Sequence, residues 1–180
     1  MDDKRARFEA QVLPHLDAAY RFARWLCRSS LEADDVVQDA FLRAYRGFET
    51  LRGGDVKAWL FTIVRNCHAT AVQQHKRRAT VPLPEEGDQA MQSVLASGPG
   101  PEGASVAADD QRTLERLMAA LPAEQREALL LRELEEMSYR EIATVTQVPI
   151  GTVMSRLARA RAALRGEWQR QVAGESRAVR

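Results

Sequence analysis

Residues 138 to 164 read SYREIATVTQVPIGTVMSRLARARAAL, and the reading of this stretch decides the fold. It predicts two short helices joined by a tight turn from Gln147 to Gly151, where Pro149 and Gly151 interrupt the helical pattern. Ser138 and Glu141 stand at capping-box spacing: the Ser138 hydroxyl is expected to accept from the Glu141 amide while the Glu141 side chain reaches back to the amide of Ser138. In the second helix, steps of about 100° per residue gather Val153, Leu157, Ala160 and Leu164 on one apolar stripe. Thr152, Ser155, Arg159 and Ala162 face the other way, with Arg156 and Arg161 on the two flanks. Small outward residues let a helix approach base edges, and flanking cations can reach phosphates on either side of a groove. An ordinary amphipathic helix with solvated arginines has the same periodicity. The capped first helix, the Pro/Gly turn and seven Arg against two acidic residues from Ile150 to Arg180 favour a DNA-recognition helix.

Just before this unit, Leu114, Leu117, Met118 and Leu121 recur at helical spacing, and Pro122 restarts the chain as a helix through about Glu135. Residues 80 to 110 differ in kind. They contain Pro82, Pro84, Pro99 and Pro101, four glycines, six acidic residues and no Lys or Arg. Such a composition cannot bury enough apolar surface to order itself, so an extended acidic linker is expected. The net charge of +1 therefore hides an uneven distribution: residues 1 to 79 carry 14 basic and 10 acidic side chains, and residues 111 to 180 carry 12 and 9.

The N-terminal block reads as a three-helix bundle. Phe8, Val12, Leu16, Ala19, Tyr20, Ala23 and Cys27 mark its first helix, which Pro14 should start or kink. Ser29 and Glu32 again fit the capping box. The next helix, Leu31 to Tyr45, places Ala33, Val36, Val37, Ala40, Phe41 and Ala44 on a buried stripe and leaves Asp35, Gln38, Asp39 and Leu42 opposite. A leucine among two carboxylates and an amide suits a polar-rimmed docking patch, although a solvated face with one stray leucine has the same composition. Phe48 to Asp55, FETLRGGD, is expected to be a loop displaying Phe48 and Leu51. A third helix, Val56 to about His75, should bury Val56, Leu60, Ile63, Val64, Cys67 and Ala71 and expose Thr62, Arg65, Asn66, Gln73 and Lys76. Amides and cations beside apolar loop residues suit single-stranded or melted nucleic acid. A basic helix end also complements the helix dipole, which accounts for part of the run from His75 to Arg78.

Other classes find little support. No apolar run approaches the roughly 20 residues of a membrane span, and MDDKRARFEA lacks the apolar core of a signal peptide, so a cytoplasmic protein without membrane insertion is expected. Cys27 and Cys67 form neither a disulfide framework nor a CxxC zinc site, and buried reduced thiols are expected. His15, His68 and His75 have no partners at metal spacing, so no metal, cofactor, catalytic set or small-molecule substrate is expected.

The stretch ADDVVQDAFLRAYRGFETLRGGDVKAWLFTIVRN resembles region 2 of bacterial sigma-70-type factors, and ALPAEQREALLLRELEEMSYREIATVTQVPIGTVMSRLARARAAL resembles their region 4. A chain with these two parts and a short linker resembles an extracytoplasmic-function (ECF) sigma factor of RNA polymerase. The resemblance implies an all-α fold of two small helical domains: region 2 over 1–79, a flexible linker over 80–110, region 4 over 111–170 and a tail over 171–180. It implies that Asp35, Gln38, Asp39 and Leu42 dock on the beta-prime clamp helices of core RNA polymerase, with the beta flap as a further contact. Phe48, Leu51, Trp59, Arg65, Asn66 and Lys76 fall at the −10 element, where the loop captures a flipped base. Thr152, Ser155, Arg156, Arg159 and Arg161 fall on the −35 recognition helix. Met154 departs from the family pattern, where many relatives have Arg. The resemblance further implies promoter DNA as ligand, a linker threaded near the RNA exit path, and an anti-sigma factor, often membrane-anchored, that wedges between the domains. Two rivals remain: a helix-turn-helix regulator with an effector-binding N-terminal half, and a protein-interaction scaffold. A regulator of that kind usually dimerises, and the chain has no coiled-coil heptads.

Overall fold

A computed structural model describes residues 2–27, 29–51, 53–79 and 113–178. The expected linker lies wholly outside the described residues, as does the end of the expected tail. The described residues form helices and contain no strand. In chain order these are α1 (Asp2–Gln11), α2 (Leu16–Leu26), α3 (Ser30–Gly47), α4 (Val56–Ala79), α5 (113–120), α6 (Ala123–Glu133), α7 (Tyr139–Thr146) and α8 (Ile150–Ala178), with 3-10 turns at Leu13–His15 and Phe48–Thr50. The chain divides into two compact units. One comprises Met1–Leu95 with Arg140–Gln147, the other Ala96–Tyr139 with Val148–Arg180.

In the first unit, Pro14 does more than kink the opening helix. It starts a 3-10 turn that separates α1 from α2, because its ring clashes with a continuing α-helix and it has no amide to donate. The break changes which side chains are buried. Phe8, Val12, Ala19, Phe22 and Ala23 lie in the core, whereas Leu16 and Tyr20, expected inside, are exposed. Phe22 stacks on Phe61 of α4 at 5.1 Å between centroids, and both rings are fully buried. Helix α3 begins where the Ser29 hydroxyl accepts from the Glu32 amide at 3.1 Å, and it buries Ala33, Val36, Val37, Ala40 and Ala44. Helix α4 starts at an Asp55 carboxylate that accepts from the Ala58 amide at 3.0 Å, the usual capping arrangement for a helix N-terminus. It buries Ala58, Leu60, Phe61, Val64 and Cys67, while Val56, Ile63 and Ala71 are only half-buried.

In the second unit, α6 and α8 pack along an apolar seam. Ala128, Leu129, Leu130 and Leu131 are buried on α6, as are Val153, Leu157 and Ala160 on α8. Leu164, expected to complete that stripe, is half-buried. The turn before α8 is shorter than expected. Gln147 takes φ 56°, the left-handed conformation that ends a helix. The Pro149 carbonyl then accepts from the Thr152 and Val153 amides at 2.9 and 3.2 Å, so Gly151 belongs to the first turn of α8 and interrupts nothing.

Candidate docking and nucleic-acid interfaces

The first candidate surface is the outer face of α3. Asp35, Gln38 and Leu42 are exposed, and a helix advancing about 100° per residue aligns them with Leu31, four residues before Asp35. Leu31 and Leu42 are 71% and 52% exposed, so the acidic and amide groups lie between two leucines that folding leaves in water. Leu31 was missed in the sequence because its position next to the cap masks its membership of the same stripe. Asp39 lies beside them, half-buried with 46% of its side chain exposed, and its charge is matched by Arg43. Its Oδ1 accepts from Arg43 Nε at 3.0 Å, its Oδ2 lies 2.8 Å from Arg43 Nη2, and the Cys67 thiol of α4 is hydrogen-bonded to it. Three residues of the expected face therefore point outward together, and the fourth ties α3 to itself and to α4.

The second candidate surface begins at the turn after α3. The expectation that Phe48 is displayed is overturned, since Phe48 is only 6% exposed. Its ring meets Phe8 of α1 edge-on at 5.5 Å, and Phe8 meets Tyr45 in the same way at 5.2 Å. The Arg7 guanidinium stands 6.0 Å from the Phe48 centroid. An aromatic side chain of this size gains more from such packing than from water. Phe48 nevertheless lines a concavity of about 460 Å³, together with Arg7, Gln11, Glu49, Leu51 and Gly53. Gly53 lines this hollow at φ 55°, in the left-handed region that glycine enters without steric cost. Leu51 is half-buried and its amide donates to the Phe48 carbonyl at 3.1 Å.

Trp59 is half-buried on α4, with its ring so close to Gly47 that a Cβ there would stand 3.8 Å away. Further along α4, Asn66, Ala69, Gln73 and Lys76 recur at intervals of three or four residues and are all exposed, forming one polar stripe; Arg65 beside it is half-buried. The sequence-expected −10 residues thus fall into two groups. Phe48 and Leu51 meet residues of α1 at the concavity, and Asn66 and Lys76 share the stripe on α4.

The third candidate surface is α8. Arg159 is exposed and has no ion-pair partner among the described residues, whereas Thr152 and Ser155 are half-buried at the edge of the outward face. The Ser155 hydroxyl donates to the Thr152 carbonyl at 2.9 Å. Arg156 and Arg161 each pair with a carboxylate of α6. Arg156 Nη2 donates to Glu124 Oε2 of α6 at 2.7 Å, and only 14% of the Arg156 side chain is exposed. Arg161 donates to Glu133 Oε1 through Nη2 at 2.8 Å and Nε at 3.2 Å. Glu133 and Tyr139 raise the Arg161 pKa further above its ordinary value. These two guanidiniums fold back on their own unit instead of standing free for phosphates, because carboxylates on α6 offer charge-assisted hydrogen bonds nearby.

Among the described residues, no group of three or more His, Cys, Asp and Glu could hold a metal ion, and no helix is long and apolar enough to cross a membrane. Burial pushes the Cys27 thiol up to about 12 and the Cys67 thiol up to about 11. Neither is a reactive thiolate at neutral pH.

Comparison with known proteins agrees with this layout. Residues 12–78 match the sequence profile of Sigma-70 region 2, and residues 111–164 match that of Sigma-70, region 4. The chain is 36% identical over 170 residues to the RNA polymerase sigma-H factor of Pseudomonas aeruginosa, covering 90% of this chain and 86% of that protein. It is 34% identical over 137 residues to the ECF RNA polymerase sigma-E factor of Escherichia coli, covering 74% and 72%. Among solved structures it resembles the sigma factor RpoE from Bartonella quintana, crystallised with the anti-sigma factor NepR, with a TM-score of 0.70, 28% identity and coverage of 91% and 97%. The fold is also that of CnrH, solved in complex with the cytosolic domain of CnrY, with a TM-score of 0.64 and coverage of 92% and 89%. With two helical units and both sigma regions in this order, the chain belongs to the sigma-70 family of RNA polymerase sigma factors, in its ECF branch.

Proposed function

We propose that the chain works as a promoter-specificity subunit in the cytoplasm: it joins core RNA polymerase, directs it to promoters through −35 and −10 elements, and aids melting. The observation that carries this reading is the α3 stripe, where Leu31, Asp35, Gln38 and Leu42 stay exposed on a helix whose opposite side buries Ala33, Val36, Val37, Ala40 and Ala44 and half-buries Phe41. Two leucines flanking polar groups suit a protein interface with an apolar centre and polar rim. The clamp helices of the beta-prime subunit are the assigned partner, and the beta flap is assigned to the region 4 side.

The nucleic-acid roles follow the other two surfaces. The concavity beside Leu51 is the proposed pocket for a −10 base turned out of the stack, and the α4 stripe from Asn66 to Lys76, with Arg65 and Trp59 beside it, is the proposed track for the melted strand. On α8, Thr152, Ser155 and Arg159 are assigned to the −35 element. Arg156 and Arg161 are assigned to holding that helix in place. The function is regulatory and not enzymatic. Because RpoE and CnrH were each solved with a protein bound, an anti-sigma factor that covers these surfaces is the proposed means of control.

Run-off transcription with core enzyme on promoter DNA tests the whole reading. A discrete transcript that needs both the chain and core enzyme supports it. Binding to DNA as a homodimer without affinity for core enzyme would favour a conventional regulator instead.

A further inference from the structure

Helix α8 presents a further row of exposed side chains. Ile150, Met154, Ala158 and Ala162 follow one another at intervals of four residues, and all four are exposed. On an α-helix, residues spaced by four form a single row that winds slowly around the axis. The row is wholly apolar, and its two large members, Ile150 and Met154, are 42% and 53% exposed in the first two turns. Ser155 and the exposed Arg159 run alongside it. On its other side, the charge of Arg161 is held by Glu133.

We infer that Met154 reads the C5-methyl group of a thymine in the −35 element, an inference that rests on the assignment of α8 to that element. The first turns of a recognition helix are those that meet base edges. In the major groove every base pair offers hydrogen-bonding groups, and the one apolar group at the base edge is the thymine methyl. The alanines at 158 and 162 are too small to make this row a broad protein-docking patch, and they permit close approach of backbone to DNA. Arg159, which has no ion-pair partner among the described residues, stands next to the row and suits a polyanion. A flexible thioether side chain can settle over a methyl group without exact shape matching.

The experiment uses duplexes recovered from a randomised −35 pool by the full chain bound to core RNA polymerase. Each thymine is then replaced in turn by deoxyuridine, which removes only the methyl. At one position the wild-type chain should bind about four-fold more weakly, the effect of one buried methyl-sized group. Met154→Ala should bind the thymine and deoxyuridine duplexes equally, Met154→Leu should keep most of the difference, and Arg159→Ala should bind both more weakly while keeping it. The inference fails if no position discriminates deoxyuridine, or if Met154→Ala discriminates as well as wild type. It also fails if Met154→Ala loosens core-enzyme association and leaves discrimination intact, which would make the row a protein contact. If the pool shows no −35 enrichment and Arg159→Ala binds normally, the assignment of α8 to the −35 element is itself wrong. That result is distinct from losing the methyl contact alone.

Discussion

The Glu124 carboxylate on α6 holds the Arg156 guanidinium on α8 at 2.7 Å, and Glu133 repeats the tie to Arg161 at 2.8 Å. The two pairs are not equivalent. Arg156 has 14% of its side chain exposed, and Arg161 has 41%. A well-exposed pair contributes roughly 0.2–1 kcal/mol, whereas removing a mostly covered arginine also forfeits the packing of its methylene stem.

Arg156→Ala is therefore expected to lower the stability of the unit holding α6 and α8 by about 1–3 kcal/mol in urea melts. Arg159→Ala should change stability by less than about 0.5 kcal/mol while costing about 1–3 kcal/mol of binding to a selected −35 duplex. Equal stability losses for the two variants would show that the Glu124 tie does not distinguish them.

On α3, Asp35 and Asp39 divide in the same manner. Asp35→Arg should leave the melt unchanged and weaken core-polymerase binding by roughly 2 kcal/mol or more, as expected for an inverted interfacial charge. Asp39→Arg removes the pair with Arg43, sets two cations four residues apart and strips the Cys67 thiol of its acceptor, so it should also lower stability by about 1 kcal/mol. Pull-down affinities read beside melts of both variants check this. Normal core binding by a folded Asp35→Arg variant would remove the α3 stripe from the interface.

Periodicity carried much of this molecule. The α8 stripe of Val153, Leu157 and Ala160, the α3 stripe from Ala33 to Ala44 and the Ser29 cap depend on residues within one or two turns, so their pattern is visible in a local window. What periodicity could not show depends on distant partners. Arg156 and Arg161 look like free flanking cations until α6 brings carboxylates 32 and 28 residues away in sequence alongside them. Phe48 looks like a displayed loop residue because the ring that covers it, Phe8, lies two helices earlier. Pro14 was visible as a break, but how far it turned Leu16 and Tyr20 outward was set by packing across the bundle.

The contrast between Phe48 and Leu51 gives a further expectation. Phe48→Ala removes a buried ring from its contacts with Phe8 and should cost about 3–5 kcal/mol of stability. Leu51→Ala, at a half-buried position on the concavity, should cost less than about 1.5 kcal/mol and weaken binding of a single-stranded −10 oligonucleotide by the chain in complex with core polymerase. Thermal melts and fluorescence anisotropy separate the two effects. A Leu51→Ala complex that binds the strand normally would exclude Leu51 from the pocket.

Ionisation of the two thiols is expected to weaken the fold at alkaline pH. Burial raises both Cys27 and Cys67 above the ordinary value of 9.0, to about 12 and about 11, and the neighbouring carboxylates of Glu32 and Asp39 push the same way. In the unfolded chain the thiols ionise near the ordinary value, so above it ionisation stabilises the unfolded state and not the folded one. The stabilising contribution is thus complete below about pH 8, declines as pH rises through 9, and is lost by the folded-state values of about 11 and 12. Urea midpoints measured from pH 7 to pH 10.5 should fall at the alkaline end, and the fall should be shallower in Cys67→Ala after allowance for that variant's lower starting stability. At pH 8 a thiol-specific disulfide reagent should react with the native chain far more slowly than with the urea-unfolded chain, because thiolate is the reacting species. Rapid stoichiometric labelling of the native chain at pH 8 would show that at least one thiol is neither buried nor held protonated.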